Sequence, residues 1–443
     1  MRKETDSLGE VLIPDDALYG INTARAMENF NIPFRSINPD LIKAIILIKK
    51  AAARTYIKLN TGDAQIWRAI EDACDEFLEQ EHPECFSVCA LQGGAGTSAN
   101  MSVNEAIANL ALKKLGFPPG RYDIIHPLDH VNRGQSTNDV CPTALRIAAI
   151  GKLRSLSDEC AALQSELQLK ENEWADIKKL GRTELMDAVP VTLGEEFGSY
   201  AQAIARDRWR LYKVEERLRL VNMGGSAVGI ATGKDKKYRA FMLEELRLLT
   251  GFGLAAAEYP MDLTQNNDVF VEVSGLLKAL AVNLIKISND IRLMGSGPHG
   301  GLGELRLEPL QQGSTIMAGK VNPVIPEMTI QCAIKVTGND TCITMAAAHG
   351  EFELNAFFPL IADCLLESLE LMCGAVCAFR EKCIRTAKPG KEACERHLAA
   401  SAAFAAEYVP VLGYDTVSKV IKNNSPDAAR EILCQLQAEI HKK

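Results

Sequence analysis

From Leu145 to Ile177 apolar side chains recur at Leu153, Leu156, Cys160, Leu163 and Leu167, in alternating steps of three and four. The same rhythm runs through Phe197, Tyr200, Ile204, Leu211, Val214, Leu218 and Val221. It returns at Val273, Leu277, Leu280, Leu284, Ile287, Ile291 and Met294. Such a repeat lays one apolar stripe along a helix. Three stripes of this length predict helices of about 25 to 35 residues with coiled-coil-like seams, and so a mainly α fold built on a long bundle rather than a doubly wound sheet. Helices this long rarely stand alone, so bundling with copies from other subunits is expected.

Further helical patterns cover Leu41–Leu59, Ala64–Glu79, Asn104–Leu115, Met328–Met345 and Phe352–Ala378. Residues 1–40 read as a hairpin or extended lead-in, and 117–135 as irregular. Strand signals are confined to the ends of the chain. Short polar breaks at 180–194, 223–233 and 296–304 separate the long helices, with Pro190 expected to stop one helix and Thr192 to cap the next. The clusters Arg206–Arg210 and Lys234–Lys237 read as solvated charges. Pro389-Gly390 breaks the chain before a small helical tail. The divisions expected are an N-terminal domain (1–138), a central helical bundle (139–391) and a C-terminal helical domain (392–443).

Composition narrows the function. The chain has 443 residues, 47% hydrophobic and 24% charged, so it buries a large core. Its net charge of -8 argues against nucleic acid or an anionic membrane as the main partner. The opening MRKETDSLGE has no apolar core, and no run approaches the roughly 18 apolar residues of a membrane span. A cytoplasmic protein is expected. There are 13 cysteines but no CxxC pair, which points to free thiols, with Cys373 and Cys377 expected to be buried. His126 and His130 have the spacing of a metal pair on a helix, but Pro127 works against that helix, and no metal site is expected.

The breaks carry the candidate chemistry. The segment Gly313–Glu327, GSTIMAGKVNPVIPE, combines flexible backbone, hydroxyls, one lysine and an amide. That is the equipment of a mobile loop that handles anions, though a Gly/Pro-rich surface turn has the same composition. GGAGTS at Gly93 leads into a helix whose free N–H groups would favour an anion, with a tight turn as the plainer account. QSTND precedes another helix and also suits a simple N-cap. These segments and GRTEL share hydroxyls and amides with few carboxylates, a set able to bind a small dicarboxylate through neutral donors and one cation.

At this point the residues resemble a family. GSTIMAGKVNP is similar to the signature GSSxMPxKxNP of the fumarase/aspartase superfamily, and within it the chain most resembles the aspartate ammonia-lyases. GAGTSANM, HPLDHVNRGQSTND, GRTELMDAVP, SNDIRLMGSGP and KVTGNDTCITMAA match further segments in the same order, from about residue 8 to 430. The resemblance implies a three-domain, almost all-α fold. It also implies a homotetramer with a twenty-helix core, five helices from each subunit, and active sites built from three subunits. The reaction implied is anti elimination from a succinyl unit, releasing fumarate, with an aci-carboxylate intermediate and no redox cofactor or obligatory metal.

The resemblance assigns Ser314 as general base. Thr97, Ser136, Thr137 and Thr315 would cradle the carboxylate that takes the extra charge. Lys320 and Asn322 would hold the other carboxylate, Asn138 and Thr183 would lie near the leaving group, and Glu327 would orient the lysine or a neighbour. Plainer roles are helix caps for Asn138 and Thr183 and a structural ion pair for Glu327. The chain departs from the pattern at Thr315, at Ala318 in place of proline, and at Glu184, where histidine or glutamine is usual. Glu184 facing Glu327 would require a proton or a cation between two carboxylates. This favours an aminated substrate, either L-aspartate or a related or N-substituted amino acid. Water loss from malate and an inert crystallin-like paralogue are the remaining readings.

Overall fold

The computed structural model describes residues 1–80, 82–230 and 236–441. A hairpin of β1 (Arg2–Asp6) and β2 (Gly9–Ile13) opens the chain, followed by α1 (Ile21–Asn29), α2 (Pro39–Lys58), α3 (Ala64–Glu79) and α4 (Thr97–Lys114). Next come α5 (Thr137–Glu173), a second hairpin of β3 (Lys178–Thr183) and β4 (Met186–Thr192), and α6 (Leu193–Leu218). The short β5 (Leu220–Val221), α7 (Lys236–Thr250), β6 (Ala255–Ala256) and α8 (Pro260–Gln265) lead into α9 (Asp268–Met294). After β7 (Leu305–Arg306) come α10 (Val324–Ala348), α11 (Phe358–Phe379) and β8 (Lys388–Pro389). The chain closes with α12 (Lys391–Ala400), α13 (Val409–Leu412), α14 (Tyr414–Asn423) and α15 (Pro426–His441). Among the described residues, no helix is long and apolar enough to cross a membrane.

The contacts divide the chain into two compact units. One comprises residues 1–157, 209–279 and 334–373, the other 158–208, 280–333 and 374–443. The five long helices α5, α6, α9, α10 and α11 each give residues to both. In the first unit α2 is buried along Ile42, Ile45, Ile46 and Ile48, and α4 is buried on every side from Ala99 to Leu112. Glu105 on α4, 1% exposed, accepts the backbone N–H groups of Gly20, Asn22 and Thr23 and so closes the N-terminus of α1. In the second unit, Phe404, Ala405, Val417, Ala429 and Leu433 form a small core of their own among the C-terminal helices.

All nineteen positions of the three sequence stripes are buried, none more than 4% exposed. Other expectations need correction. The break at 180–194 is the β3–β4 hairpin, so a strand pair lies in the middle of the chain and not only at its ends. The preceding helix has already ended at Glu173, and Pro190 is a strand residue paired with Leu180. Thr192 does cap α6, its Oγ1 accepting from Glu195 N at 3.0 Å while Glu195 Oε2 accepts from Thr192 N at 2.8 Å. The helix expected from Asn104 starts at Thr97, and the one expected from Phe352 starts at Phe358. Cys373 and Cys377 are half-buried, and all thirteen cysteines are free thiols. Part of the 223–233 break and part of the Lys234–Lys237 cluster lie outside the described residues.

Candidate functional site

Two helix N-termini meet in the first unit. Gly94, Ala95 and Gly96 all have positive φ, at 82°, 55° and 94°, and this left-handed run turns the backbone into α4. A Cβ at Gly96 would lie 3.0 Å from Cys141 Sγ near the start of α5, so the close approach of the two helix starts suits a glycine. Thr97 is the first residue of α4, and its hydroxyl donates to Gly94 O at 2.7 Å. Ser136 caps α5: its Oγ accepts from Asn138 N at 3.2 Å, and Asp139 accepts from Ser136 N at 2.9 Å. Asn138 donates through Nδ2 to Ala227 O at 2.8 Å. Thr97, Ser136, Thr137 and Asn138 therefore gather where two helix dipoles present their positive ends, a setting that favours an anion.

Beneath this cradle lies a polar network that the sequence reading did not single out. Lys49 is fully buried and donates to Asn132 Oδ1 at 2.8 Å and Gln135 Oε1 at 3.0 Å. Asn100 Nδ2 reaches both Asn132 Oδ1 at 3.1 Å and Thr137 Oγ1 at 3.3 Å. Asp139, equally buried, also takes the backbone N–H groups of Gly224 and Ser226. Burial pulls the Lys49 ammonium down to about 7 against the nearby charges of Cys141 and Asp139. Burial likewise pushes Asp139 up to about 6, against the N–H groups it accepts and the Lys49 charge. The signal in the sequence was a lysine four residues after Ile45 on the apolar face of α2.

The second unit holds the other candidates. Thr183 ends β3 and pairs with Met186, so it is a strand residue rather than a helix cap. Glu184 and Leu185 form a two-residue turn with φ of 54° and 63°. That turn normally recruits Asn-Gly, and two residues with full side chains there store strain at the tip. The hairpin is anchored at its base by Glu304, which is 0% exposed and bonded to Lys179 at 2.9 Å, Arg182 at 2.8 Å and His397 at 2.9 Å. Burial raises the Glu304 carboxyl, but its bonds to Arg182, His397 and Lys179 outweigh that and hold it below the usual glutamate value.

The 313–327 segment folds back on itself. Gly313 N donates to Lys320 O at 2.9 Å, and Asn322 Nδ2 donates to Gly313 O at 2.8 Å. A Cβ on Gly313 would sit 2.5 Å from Lys320 O, so only glycine fits. Within this closure Ser314 Oγ accepts the backbone N–H groups of Ile316 at 3.2 Å and Met317 at 2.9 Å. Thr315 and Lys320 are exposed, and Gly319 has φ of 79°. Glu327, on the first turn of α10, lies 3.6 Å from Arg292, so its partner within the chain is an arginine and not Lys320.

The histidine pair at 126 and 130 is occupied locally. His126 Nδ1 accepts from Leu128 N and Asp129 N, and His130 Nδ1 accepts from His126 N, around a single π-helical turn, Pro127–Val131.

Comparison with known proteins matches this arrangement to a family. A sequence model described as "Lyase" matches residues 9–338. An aspartate ammonia-lyase of Bacillus sp. is 42% identical over 422 residues, covering 95% of this chain and 90% of that protein. The aspartate ammonia-lyase of Escherichia coli K12 is 39% identical over 439 residues, covering 98% and 92%. The structure of a fumarate lyase:delta crystallin from Brucella melitensis superposes with a TM-score of 0.91 at 41% identity, covering 97% of this chain and 99% of that one. A class II fumarase from Schistosoma mansoni gives 0.93 at 30% identity, covering 97% and 95%. Matched to the family from residue 9 to 338 and to these relatives over nearly its whole length, the chain belongs to the lyase family of the fumarase/aspartase superfamily.

Proposed function

We propose that this protein eliminates ammonia from L-aspartate or a close relative to give fumarate, as a cytoplasmic homotetramer in which three subunits complete each site. The three sequence divisions at 1–138, 139–391 and 392–443 are its domains. Ser314, as the alkoxide, takes a proton from C3 and becomes a hydroxyl. The C3–H electron pair passes into the neighbouring carboxylate, making the aci-carboxylate dianion. Thr97, Ser136, Thr137 and Thr315 hold that dianion, aided by the helix N-termini of α4 and α5. Lys320 and Asn322 hold the other carboxylate. The electron pair then forms the C2–C3 double bond as the C2–N bond breaks, and ammonia leaves beside Asn138 and Thr183.

The observation that carries this reading is the pair of backbone N–H groups on Ser314 Oγ. A serine hydroxyl is a poor base unless its alkoxide is stabilised, and two N–H groups at 3.2 and 2.9 Å support Ser314 in that role. The names of the Bacillus and Escherichia coli relatives agree with the reaction.

Glu184 favours a second reading of the substrate. A carboxylate at an exposed, left-handed hairpin tip suits a cationic or substituted amine better than a leaving hydroxyl. A screen of amino acids, N-substituted aspartates and malate, read by the ultraviolet absorbance of fumarate, tests both readings. The main reading expects aspartate to be turned over well above malate, and Glu184→His or Glu184→Gln to narrow that gap. Preference for an N-substituted aspartate would establish the second reading. Comparable turnover of malate would sink the preference for amines, and silence with every substrate in an intact tetramer would favour an inert paralogue.

A further inference from the structure

Behind the 313–327 loop lies a cavity of about 550 Å³ whose charge runs against the rest of the protein. It is walled by the loop residues Lys320 and Asn322, by His299 and Arg306 from the preceding segment, and by Glu392 and Arg396 from α12. In a chain of net charge -8, this wall carries three permanent cations and a histidine against one carboxylate. That carboxylate, Glu392, is already paired with Arg306 at 3.2 Å. Among the described residues, the Lys320 ammonium and the Arg396 guanidinium have no hydrogen-bond or ion-pair partner.

The wall is also preformed. Glu304 ties the 303–306 segment to β3 through Lys179 and Arg182 and to α12 through His397. Its carbonyl accepts Gly390 N at 2.9 Å, and β7 pairs with β8 alongside. Arg306 and Arg396 thus stand on anchored backbone while Lys320 comes from the exposed loop, and together they offer charge-assisted hydrogen bonds to an anion.

We propose that this cavity is a second anion site. It takes a small, multiply charged anion, a dicarboxylate or inorganic phosphate, on Arg396, Arg306 and Lys320. Occupancy competes with the reaction, because Lys320 cannot serve the cavity anion and the substrate carboxylate at once. This competition rests on the reading of Lys320 as the substrate anchor; the anion site itself does not. Arg396 and Arg306 have no part in the proposed elimination, so replacing them leaves basal turnover unchanged.

The test measures steady-state kinetics of the intact protein at fixed ionic strength with rising phosphate, in wild type, Arg396→Gln and Arg306→Gln, beside calorimetric titration of phosphate and of fumarate. The expected result is that phosphate raises the wild-type KM without changing kcat. In each variant the inhibition constant and the phosphate Kd weaken by about 10-fold, the scale of one lost charge-assisted hydrogen bond. Fumarate binding that weakens in the same variants identifies a dicarboxylate site; binding of phosphate alone identifies an inorganic-anion site. Phosphate affinity equal in wild type and both variants overturns the proposal. Binding that depends on Arg396 but leaves KM unmoved keeps the site and refutes the role of Lys320 as substrate anchor, so the two failures are distinguishable.

Discussion

Lys49 Nζ donates to Asn132 Oδ1 at 2.8 Å in a position with no solvent exposure. It also donates to the Gln135 amide oxygen, so two neutral acceptors hold a buried amine directly under the Thr97–Thr137 cradle. The relation predicts a pH dependence of stability. The folded-state value is pulled by burial from 10.5 to about 7. Between those limits the unfolded chain binds a proton that the fold does not, so stability attributable to Lys49 rises with pH through that window, by at most about 1.4 kcal/mol per pH unit. Urea midpoints of wild type and Lys49→Met, compared at pH 6.5 and 9, should move in favour of wild type at the higher pH. A constant difference would contradict the account.

Glu304 satisfies two buried or half-buried cations and His397 at once. Removing it leaves Lys179, 2% exposed, without one of its carboxylate partners and frees the base of the β3–β4 hairpin. Glu304→Ala should therefore lower stability by about 3–5 kcal/mol, the scale of a broken buried ion pair. Glu304→Gln, which keeps shape and part of the hydrogen bonding, should cost less. Chemical denaturation of both variants checks the order. A Glu304→Ala protein as stable as wild type would show that the hub does not anchor the hairpin.

Gly313 sits where its Cβ would press on Lys320 O at 2.5 Å. Gly313→Ala should open the loop closure and misplace Ser314 and Lys320 together. Because the loop is largely exposed, thermal unfolding should barely change, while kcat/KM falls by about 100-fold, as expected for a misplacement near 1 Å. Unchanged kinetics would mean that the Gly313–Lys320 closure is not the active form of the loop.

Much of this was legible in the sequence, for identifiable reasons. The stripes from Leu153 to Met294 are buried because a three-four repeat leaves a helix only one way to hide its apolar side chains. Thr192 was legible as a cap because a hydroxyl followed three residues later by a glutamate satisfies two free N–H groups locally. The β3–β4 hairpin was not. Its turn, Glu184-Leu185, lacks the Asn-Gly signal, and Lys179 is buried between two carboxylates, Glu196 and Glu304, the second of them far along the chain. The start of α4 was hidden for a different reason: Thr97 to Asn104 mixes small and polar residues with Met101 and Val103, and from Ala99 on it is buried all round, so no amphipathic rhythm marks it. Lys49 and Asp139 were overlooked as site residues because their partners, Asn132, Gly224 and Ser226, come from other segments.

The proposed base is Ser314, whose oxygen accepts the N–H groups of Ile316 and Met317. The most direct measurement is the turnover of aspartate by Ser314→Ala, followed through fumarate absorbance, with the assembly state and melting curve recorded on the same preparation. The expected outcome is an intact tetramer whose kcat falls by about 100-fold or more, the scale of a lost proton-transfer group. Near-normal turnover in a properly assembled Ser314→Ala protein would contradict it.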